Sequence, residues 1–276
     1  MDLISDVIRT AQAASNIDLE SDYMRNGLLY CGKCDTPKQH RLTGRLNAVV
    51  PCLCKCQEEA RKKERLEWLE EQRVNRIRQM RLDCFTDKSM MRYTFENDDG
   101  KCPELSKVAK RYVENFARMR SDGKGLLFFG TVGTGKTYMA ACIANALTDK
   151  GIPCLVTNFA RLVNTIQGMY SGKQEFIDSL NHYDLLVIDD LSSERDTEYM
   201  GEIVQTIIDS RYLSGKPMIA TTNLSGEELM NPSDIRKTRV YSRLYQMCVP
   251  YEVKGIDRRA QKLMEDDTYR TLLGIE

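Results

Sequence analysis

The sequence predicts an α/β domain built on a mostly parallel sheet, and three observations carry that expectation. From Leu105 onward, stretches with helical spacing alternate with short apolar runs, the pattern of repeated strand-helix-strand units. The apolar run "GLLFF" (125–129) passes straight into the glycine-rich turn "GTVGTGKT" (130–137) and then into an alanine-rich helical stretch. A second apolar run, "LLVIDD" (185–190), ends in two carboxylates.

Taken in order, "LSKVAKRYVENFARM" reads as helix, "GLLFF" as a buried strand and "YMAACIANALTDK" as helix. "IPCLVTN" then reads as strand, "FARLVNTIQGMY" as helix and "YDLLVIDD" as strand. "EIVQTIIDSRYLSG" completes the alternation as a helix leading to the strand "KPMIATTN". Parallel strands joined by right-handed crossovers put their carboxyl-end loops along one edge, where ligands bind in such sheets. The glycine turn, the paired carboxylates and Asn223 all fall on that edge.

The turn has the spacing Gly-x-x-x-x-Gly-Lys-Thr, covering Gly130, Thr131, Val132, Gly133, Thr134, Gly135, Lys136 and Thr137. Glycines admit left-handed backbone, so successive amide N–H groups can converge on a phosphate while the following helix adds its positive end. Lys136 is expected to reach the β and γ phosphates of ATP, and the Thr137 hydroxyl to ligate Mg²⁺. Hydrolysis needs an acidic anchor for the ion and a group to orient water. Asp189, at the strand tip, takes the first role and Asp190 the second, and Asn223 can hydrogen-bond the γ phosphate or the attacking water.

Toward the N-terminus the chemistry changes. Five of the ten cysteines lie between Cys31 and Cys56. Cys31 and Cys34 form a Cys-x-x-Cys knuckle in "YCGKCD", and "PCLCKC" supplies Cys52, Cys54 and Cys56. Two short knuckles joined by a return loop suit a tetrahedral Zn²⁺ site, and a shell of four thiolates leaves no open position, so the ion would be structural. Cys31, Cys34, Cys54 and Cys56 are the preferred set, with Cys52 and His40 in reserve. The run "QEEARKKERLEWLEEQRVNRIRQMRL" (57–82) holds no glycine or proline and reads as one long charged helix. Leu66, Leu69, Val74, Ile77 and Met80 lie roughly along one side of it, either as part of a spacer arm or as a docking surface. The expected division is a zinc-knuckle module at 1–56, a charged helical linker at 57–83 and an ATPase domain at 84–276.

Composition sets outer limits. With 276 residues, 42% hydrophobic and 29% charged, the chain is of soluble globular type. Lys plus Arg and Asp plus Glu each number 40, so no global field attracts nucleic acid or membrane. No apolar stretch approaches the roughly 20 residues of a membrane span, and "MDLISDVIRTAQAASN" lacks a basic region followed by an apolar block. The expected location is cytoplasmic.

The phosphate loop, "LLVIDD", "IATTNLS" and the later "RVYSRLYQM" together resemble the AAA+ ATPases, and within them the group of helicase loaders and IstB-like transposition helpers. The resemblance spans roughly residues 85–260. It implies that Asn223 is the sensor 1 residue and that Arg243 is an arginine finger serving a neighbouring subunit, with Arg239 as the alternative. Arg258 resembles the sensor 2 arginine, with Arg259 beside it. The resemblance further implies ATP hydrolysis that is slow until subunits join in a ring or spiral, because a finger in trans leaves a lone site without its charge. It also implies a replicative hexameric helicase bound through the N-terminal module and single-stranded DNA bound through the ATPase assembly. "DIRKTRVYSR", the arm from Arg73 to Arg81, Tyr170 and Lys173 are the candidate DNA contacts. An ATPase helper of a DNA transposase is the alternative reading; a small-molecule kinase fits less well, because no arginine-rich lid segment is seen. Two features depart from the wider superfamily. Asp190 stands where many members have Glu, and few residues follow Arg258, which suggests a compact loader-like chain.

Overall fold

The computed structural model describes residues 21–44, 47–191, 198–232, 234–258 and 271–274. The chain divides into two compact units, Met1–Val74 and Asn75–Glu276.

In the first unit, β1 (Tyr23–Arg25) and β2 (Leu28–Tyr30) form an antiparallel hairpin. Its two-residue turn is Asn26-Gly27, both at positive φ (53° and 71°), the mirror-image turn whose twist matches that of the flanking strands. A second ribbon pairs β3 (Gln39–Arg41) with β4 (Val49–Pro51). Lys38 joins the two, its N–H donating to the Leu29 carbonyl at 2.7 Å, while Cys52 N–H donates to the Lys38 carbonyl at 2.7 Å and extends the second ribbon by one pair. Neither ribbon was among the expected elements, although Asn-Gly between apolar residues is a legible hairpin signal. The charged helix α1 runs over Lys55–Cys84, slightly beyond the expected span at both ends. In its Met1–Val74 part, Leu66, Trp68, Leu69 and Val74 are exposed.

The second unit holds a five-stranded parallel sheet of β5 (Gly125–Phe129), β6 (Cys154–Asn158), β7 (Leu185–Asp189), β8 (Met218–Thr221) and β9 (Cys248–Glu252). Their order is β6-β7-β8-β5-β9. Four of these strands stand where the sequence put them. β9 was not expected, because Pro250 interrupts it; as an edge strand it can carry a residue with no N–H. On the opposite edge, Phe85 bridges Val156 and Thr86 N–H donates to the Val156 carbonyl at 3.1 Å, so the segment after α1 covers β6.

Both faces are buried, which is why the strands read as continuous apolar runs rather than alternating ones. On one face Leu126, Phe128, Val156, Leu185, Val187 and Ile219 pack with α2 (Pro103–Glu114) and α4 (Lys136–Asp149). Between these helices in sequence, α3 (Phe116–Ser121) follows a break at Asn115, where one continuous helix was expected. On the other face Leu127, Leu155, Leu186, Ile188, Met218 and Ala220 meet α5 (Phe159–Gln167), α6 (Lys173–Ser179), α7 (Glu198–Leu213) and α9 (Ile235–Met247). The short α8 (Gly226–Met230) starts with a capping box in which Ser225 and Glu228 satisfy each other's backbone N–H.

At the end of the sheet away from the glycine turn, the fully buried Arg211 guanidinium donates to four carbonyls, those of Pro217 (2.7 Å), Tyr183 (3.0 Å), Asp184 (3.2 Å) and Leu180 (3.3 Å). Burial lowers its pKa to about 10, so it remains charged at neutral pH and pins the entries to β7 and β8. Arg211→Leu should leave these carbonyls without donors and destabilise the second unit by about 3 kcal/mol. Denaturant unfolding followed by circular dichroism measures this, and a midpoint equal to wild type would show that Arg211 is dispensable.

Candidate nucleotide and metal sites

Parallel register brings the ends of β5, β7 and β8 side by side, and the glycine turn leaves β5 at that edge. Gly130, Gly133 and Gly135 have φ of 121°, 77° and 100°. At Gly133 a Cβ would stand 1.9 Å from an Asp257 carboxylate oxygen and at Gly130 it would stand 2.7 Å from the Val253 carbonyl, so both backbone angle and space demand glycine. Gly135 caps α4, directing the helix's free amides and positive end into the turn. The Lys136 ammonium is buried and donates to the carbonyls of Thr131 (2.6 Å) and Gly130 (2.8 Å). Thr134 is buried and donates to the Thr131 carbonyl at 2.9 Å, whereas Val132 is half exposed at the rim.

The carboxylate at the tip of β7 faces this turn. Thr137 Oγ1 donates to Asp189 Oδ1 at 2.7 Å, and Thr221 Oγ1, from the end of β8, donates to the same oxygen at 2.5 Å. Burial raises the Asp189 carboxyl above its ordinary range, while the two hydroxyls act in the opposite direction. Asp190 has φ 57°, unusual for a residue with a Cβ. Asn223 Nδ2 donates to Asp190 Oδ1 at 3.3 Å. Arg258 closes the far wall: its N–H donates to the Gly133 carbonyl at 3.1 Å and Nη1 donates to Asp99 Oδ1 at 3.0 Å, while Nη2 is buried with no hydrogen-bond partner among the described residues. Together these residues line a cleft of about 380 Å³ with Tyr93, Asn97, Asp98, Asp99 and Tyr138. The segment 93–99 is strapped to α4 by Tyr138 Oη donating to the Thr94 carbonyl and Asn145 Nδ2 donating to the carbonyls of Tyr93 and Met90. Its part in the cleft was not anticipated from sequence, since "FENDD" carries only a turn signal.

The arrangement suits a hydrated divalent cation with a polyphosphate. Thr137 Oγ1 and Asp189 Oδ1, 2.7 Å apart, approach the spacing of about 2.9 Å between adjacent oxygens of an octahedral Mg²⁺ shell. Converging amides, a buried ammonium and Arg258 supply the positive field that phosphates require. Arg243, by contrast, lies on α9 outside this lining, where its Nε donates to Asp209 Oδ1 at 3.3 Å and its guanidinium stacks 4.3 Å from the Tyr212 ring centroid. Arg239 is exposed on the same helix. Tyr170 is fully exposed and Lys173 opens α6. Arg259 lies outside the described residues.

In the first unit the sulfurs of Cys31, Cys34, Cys54 and Cys56 all fall within 4.8 Å of one another. Cys54 and Cys56 are 3.3 Å apart and Cys31 and Cys56 3.6 Å, near the edge of about 3.8 Å that four Zn–S bonds define. The Thr36 hydroxyl and nearby amides hold the Cys34 thiol at a pKa of about 6, while the neighbouring sulfurs push Cys56 up to about 12. Burial also raises Cys54. Four sulfurs this close repel one another when ionised, and a cation at their centre removes that conflict. Cys52 is exposed and donates to the Pro37 carbonyl at 3.4 Å, and His40 is exposed on β3, so neither belongs to the cluster.

A parallel sheet with a glycine turn leading into α4 and an acidic tip on β7 defines an AAA+-type nucleotide-binding protein. Residues 42–262 match the family of IstB-like ATP binding proteins, and the chain belongs to that family. Among curated relatives, the replicative helicase loader DnaC of Escherichia coli K12 is 31% identical over 137 residues, covering 48% of this chain and 54% of the relative. DnaC of Buchnera aphidicola from Schizaphis graminum is 29% identical over 160 residues, covering 56% and 61%. The chain thus spans between half and two thirds of the length of these relatives. Among solved structures, that of the DnaC helicase loader superposes with a TM-score of 0.52 at 26% identity, covering 61% of this chain and all of that one. That of DnaI gives 0.51 at 23% identity, covering 64% and 96%, a likeness of fold. No described helix is long and apolar enough to cross a membrane.

Purified protein is expected to carry one metal ion per chain by elemental analysis. Cys54→Ser should lose it and Cys52→Ser should keep it; the reverse order would overturn the assignment of ligands.

Proposed function

We propose that this chain is an ATP-hydrolysing loader of a replicative helicase. The observation that carries the hydrolytic part is the meeting, in one cleft beside the glycine turn, of the Thr137–Asp189 pair with the Asn223–Asp190 pair. On this reading Lys136 and the loop amides bind the phosphates of ATP, with Thr137 and Asp189 holding its Mg²⁺. Held there by Thr137 and Asp189, the ion would supply positive charge to the phosphates as hydrolysis proceeds. Asp190 orients the attacking water, Asn223 contacts that water or the γ phosphate, and Arg258, whose buried Nη2 has no hydrogen-bond partner among the described residues, contacts the phosphates from the far wall. Asp190 is one carbon shorter than glutamate, which places its carboxylate further from the water and favours slow turnover. Arg243, outside the cleft of its own chain, serves a neighbouring copy in an ATP-dependent ring or spiral.

The loading part is supported by the names of the DnaC relatives. The helicase docks on the N-terminal module, whose four cysteines hold a structural Zn²⁺, and on the exposed apolar residues of α1. Single-stranded DNA contacts the assembled ATPase units through Tyr170, Lys173 and the basic face of "DIRKTRVYSR". The protein acts in the cytoplasm.

Lys136→Ala should abolish tight ATP binding, whereas Asp190→Asn should keep binding within a few-fold and lose turnover by at least 100-fold. Fluorescent-nucleotide titration and phosphate release measure the two, and wild-type turnover in both variants would refute the site.

Docking is tested by co-purification with the replicative helicase of the same organism in ATP, using full-length protein and protein lacking residues 1–74. Capture by the full chain alone is expected. If neither form binds while DNA-stimulated ATPase persists, the chain is instead an ATPase helper of a DNA transposase.

A further inference from the structure

Thr221, only 2% exposed, touches both acidic residues of the cleft, Asp189 through its carboxylate and Asp190 through its backbone N–H. A hydroxyl has one proton to give and two lone pairs to accept with. Here the proton goes to Asp189 Oδ1 at 2.5 Å, and a lone pair receives the Asp190 N–H at 2.9 Å. The carbonyl of Thr221 accepts the next amide, Leu191 N–H, at 2.8 Å. One residue at the end of β8 therefore grips three consecutive residues at the end of β7.

The grip matters because Asp190 has the left-handed φ of 57°. Such backbone is strained for a residue with a Cβ and persists only where its surroundings enforce it. An extended Asp190 would continue β7 and swing its carboxylate away from Asn223, since adjacent side chains of a strand point to opposite faces. The left-handed turn, held by the Thr221 hydroxyl and carbonyl, is what lets Asp189 and Asp190 both face the cleft.

We propose that Thr221 is a positioning residue that fixes the Asp189 carboxylate toward the cation and the Asp190 carboxylate toward the water through one hydroxyl. Threonine and serine can make both bonds at once. Valine, of the same shape, can make neither and leaves the Asp190 N–H and one Asp189 oxygen short of a partner.

The inference rests on the reading of the cleft as an Mg²⁺–ATP site, and the test separates the two. Thr221→Val and Thr221→Ser are compared with wild type in three measurements. For Thr221→Val, kcat for phosphate release should fall 10- to 100-fold and the Mg²⁺ concentration for half-maximal turnover should rise by a similar factor, the usual penalty for losing an outer-shell partner. Its binding of ATP in excess EDTA should match wild type, because the phosphate loop is untouched. Thr221→Ser should recover most of both losses. In hydrogen exchange without added nucleotide, the segment containing Asp190 and Leu191 should exchange at least tenfold faster in Thr221→Val than in wild type or Thr221→Ser. Valine turning over with wild-type Mg²⁺ dependence would overturn the proposal. Serine failing along with valine would overturn it too, by assigning the role to packing of the methyl group. If wild type itself shows no Mg²⁺-dependent ATP turnover, the reading of the site fails, while exchange at Asp190 still reports whether the hydroxyl holds the turn.

Discussion

Everything at the candidate nucleotide site depends on the parallel register of β5, β8 and β7. Leu126 pairs with Ile219 and Ile219 with Val187, so the three strands end at one level. The glycine turn, Thr221 with Asn223, and Asp189 with Asp190 are consequences of that alignment. A slip by one residue would turn every strand side chain to the other face, carrying Asp189 away from Thr137. The apolar contacts on both faces of the sheet forbid such a slip, since Leu127, Leu186 and Ile188 belong to one cluster and Phe128, Leu185 and Val187 to the other. The core therefore sets the geometry of the chemistry and does more than hold the domain together.

The electrostatics of the cleft follow from the same constraint. Lys136 is buried and Asp189 partly buried, and each has partners within the protein. Loop carbonyls surround the ammonium, and two hydroxyls meet the carboxylate. Dipoles fixed by strand ends and helix starts need little rearrangement when charge arrives, which is how a small enclosed site stabilises phosphate more effectively than water does. Arg258 enters on a different principle. It reaches the cleft from a segment beyond β9 that lies against Gly130 and Gly133 so closely that a side chain at either would strike it. The glycines of the turn thus make room for the segment from Val253 to Arg258 on one side while leaving the other side open to the cleft.

Much of this could be read in the sequence, and the reasons differ by element. "GLLFF" and "LLVIDD" were legible because a strand buried on both faces must be apolar throughout, and because the residues that end them carry unmistakable chemistry. The long helix was legible from 26 residues without glycine or proline. β9 was not, since only its place at the sheet edge makes Pro250 acceptable, and edge position is a tertiary fact. The cysteine pattern offered three candidates for two places in the return knuckle. Folding separates them: Cys52 leaves β4 facing outward while Cys54 and Cys56 turn inward at the start of α1. Thr221 gave no signal at all, for an apolar strand ending in threonine is common, and its meaning comes only from what lies opposite on β7.

The placement of Arg243 shows how far one chain can go toward its own chemistry. The cleft already contains the amides of the glycine turn, an ammonium, a paired carboxylate and one arginine, all from the chain itself. A second arginine stands apart, on α9, held by Asp209 and the Tyr212 ring, with its side chain about 41% exposed. An exposed pair of this kind adds little to stability, on the order of 0.5 kcal/mol. It does fix the direction of a guanidinium that would otherwise lose several rotatable bonds of freedom on meeting a phosphate, and a group ordered beforehand binds with less entropic cost. On the proposed role of Arg243 at a neighbouring copy's site, Asp209 and Tyr212 would matter more for that reach than for the fold that carries it.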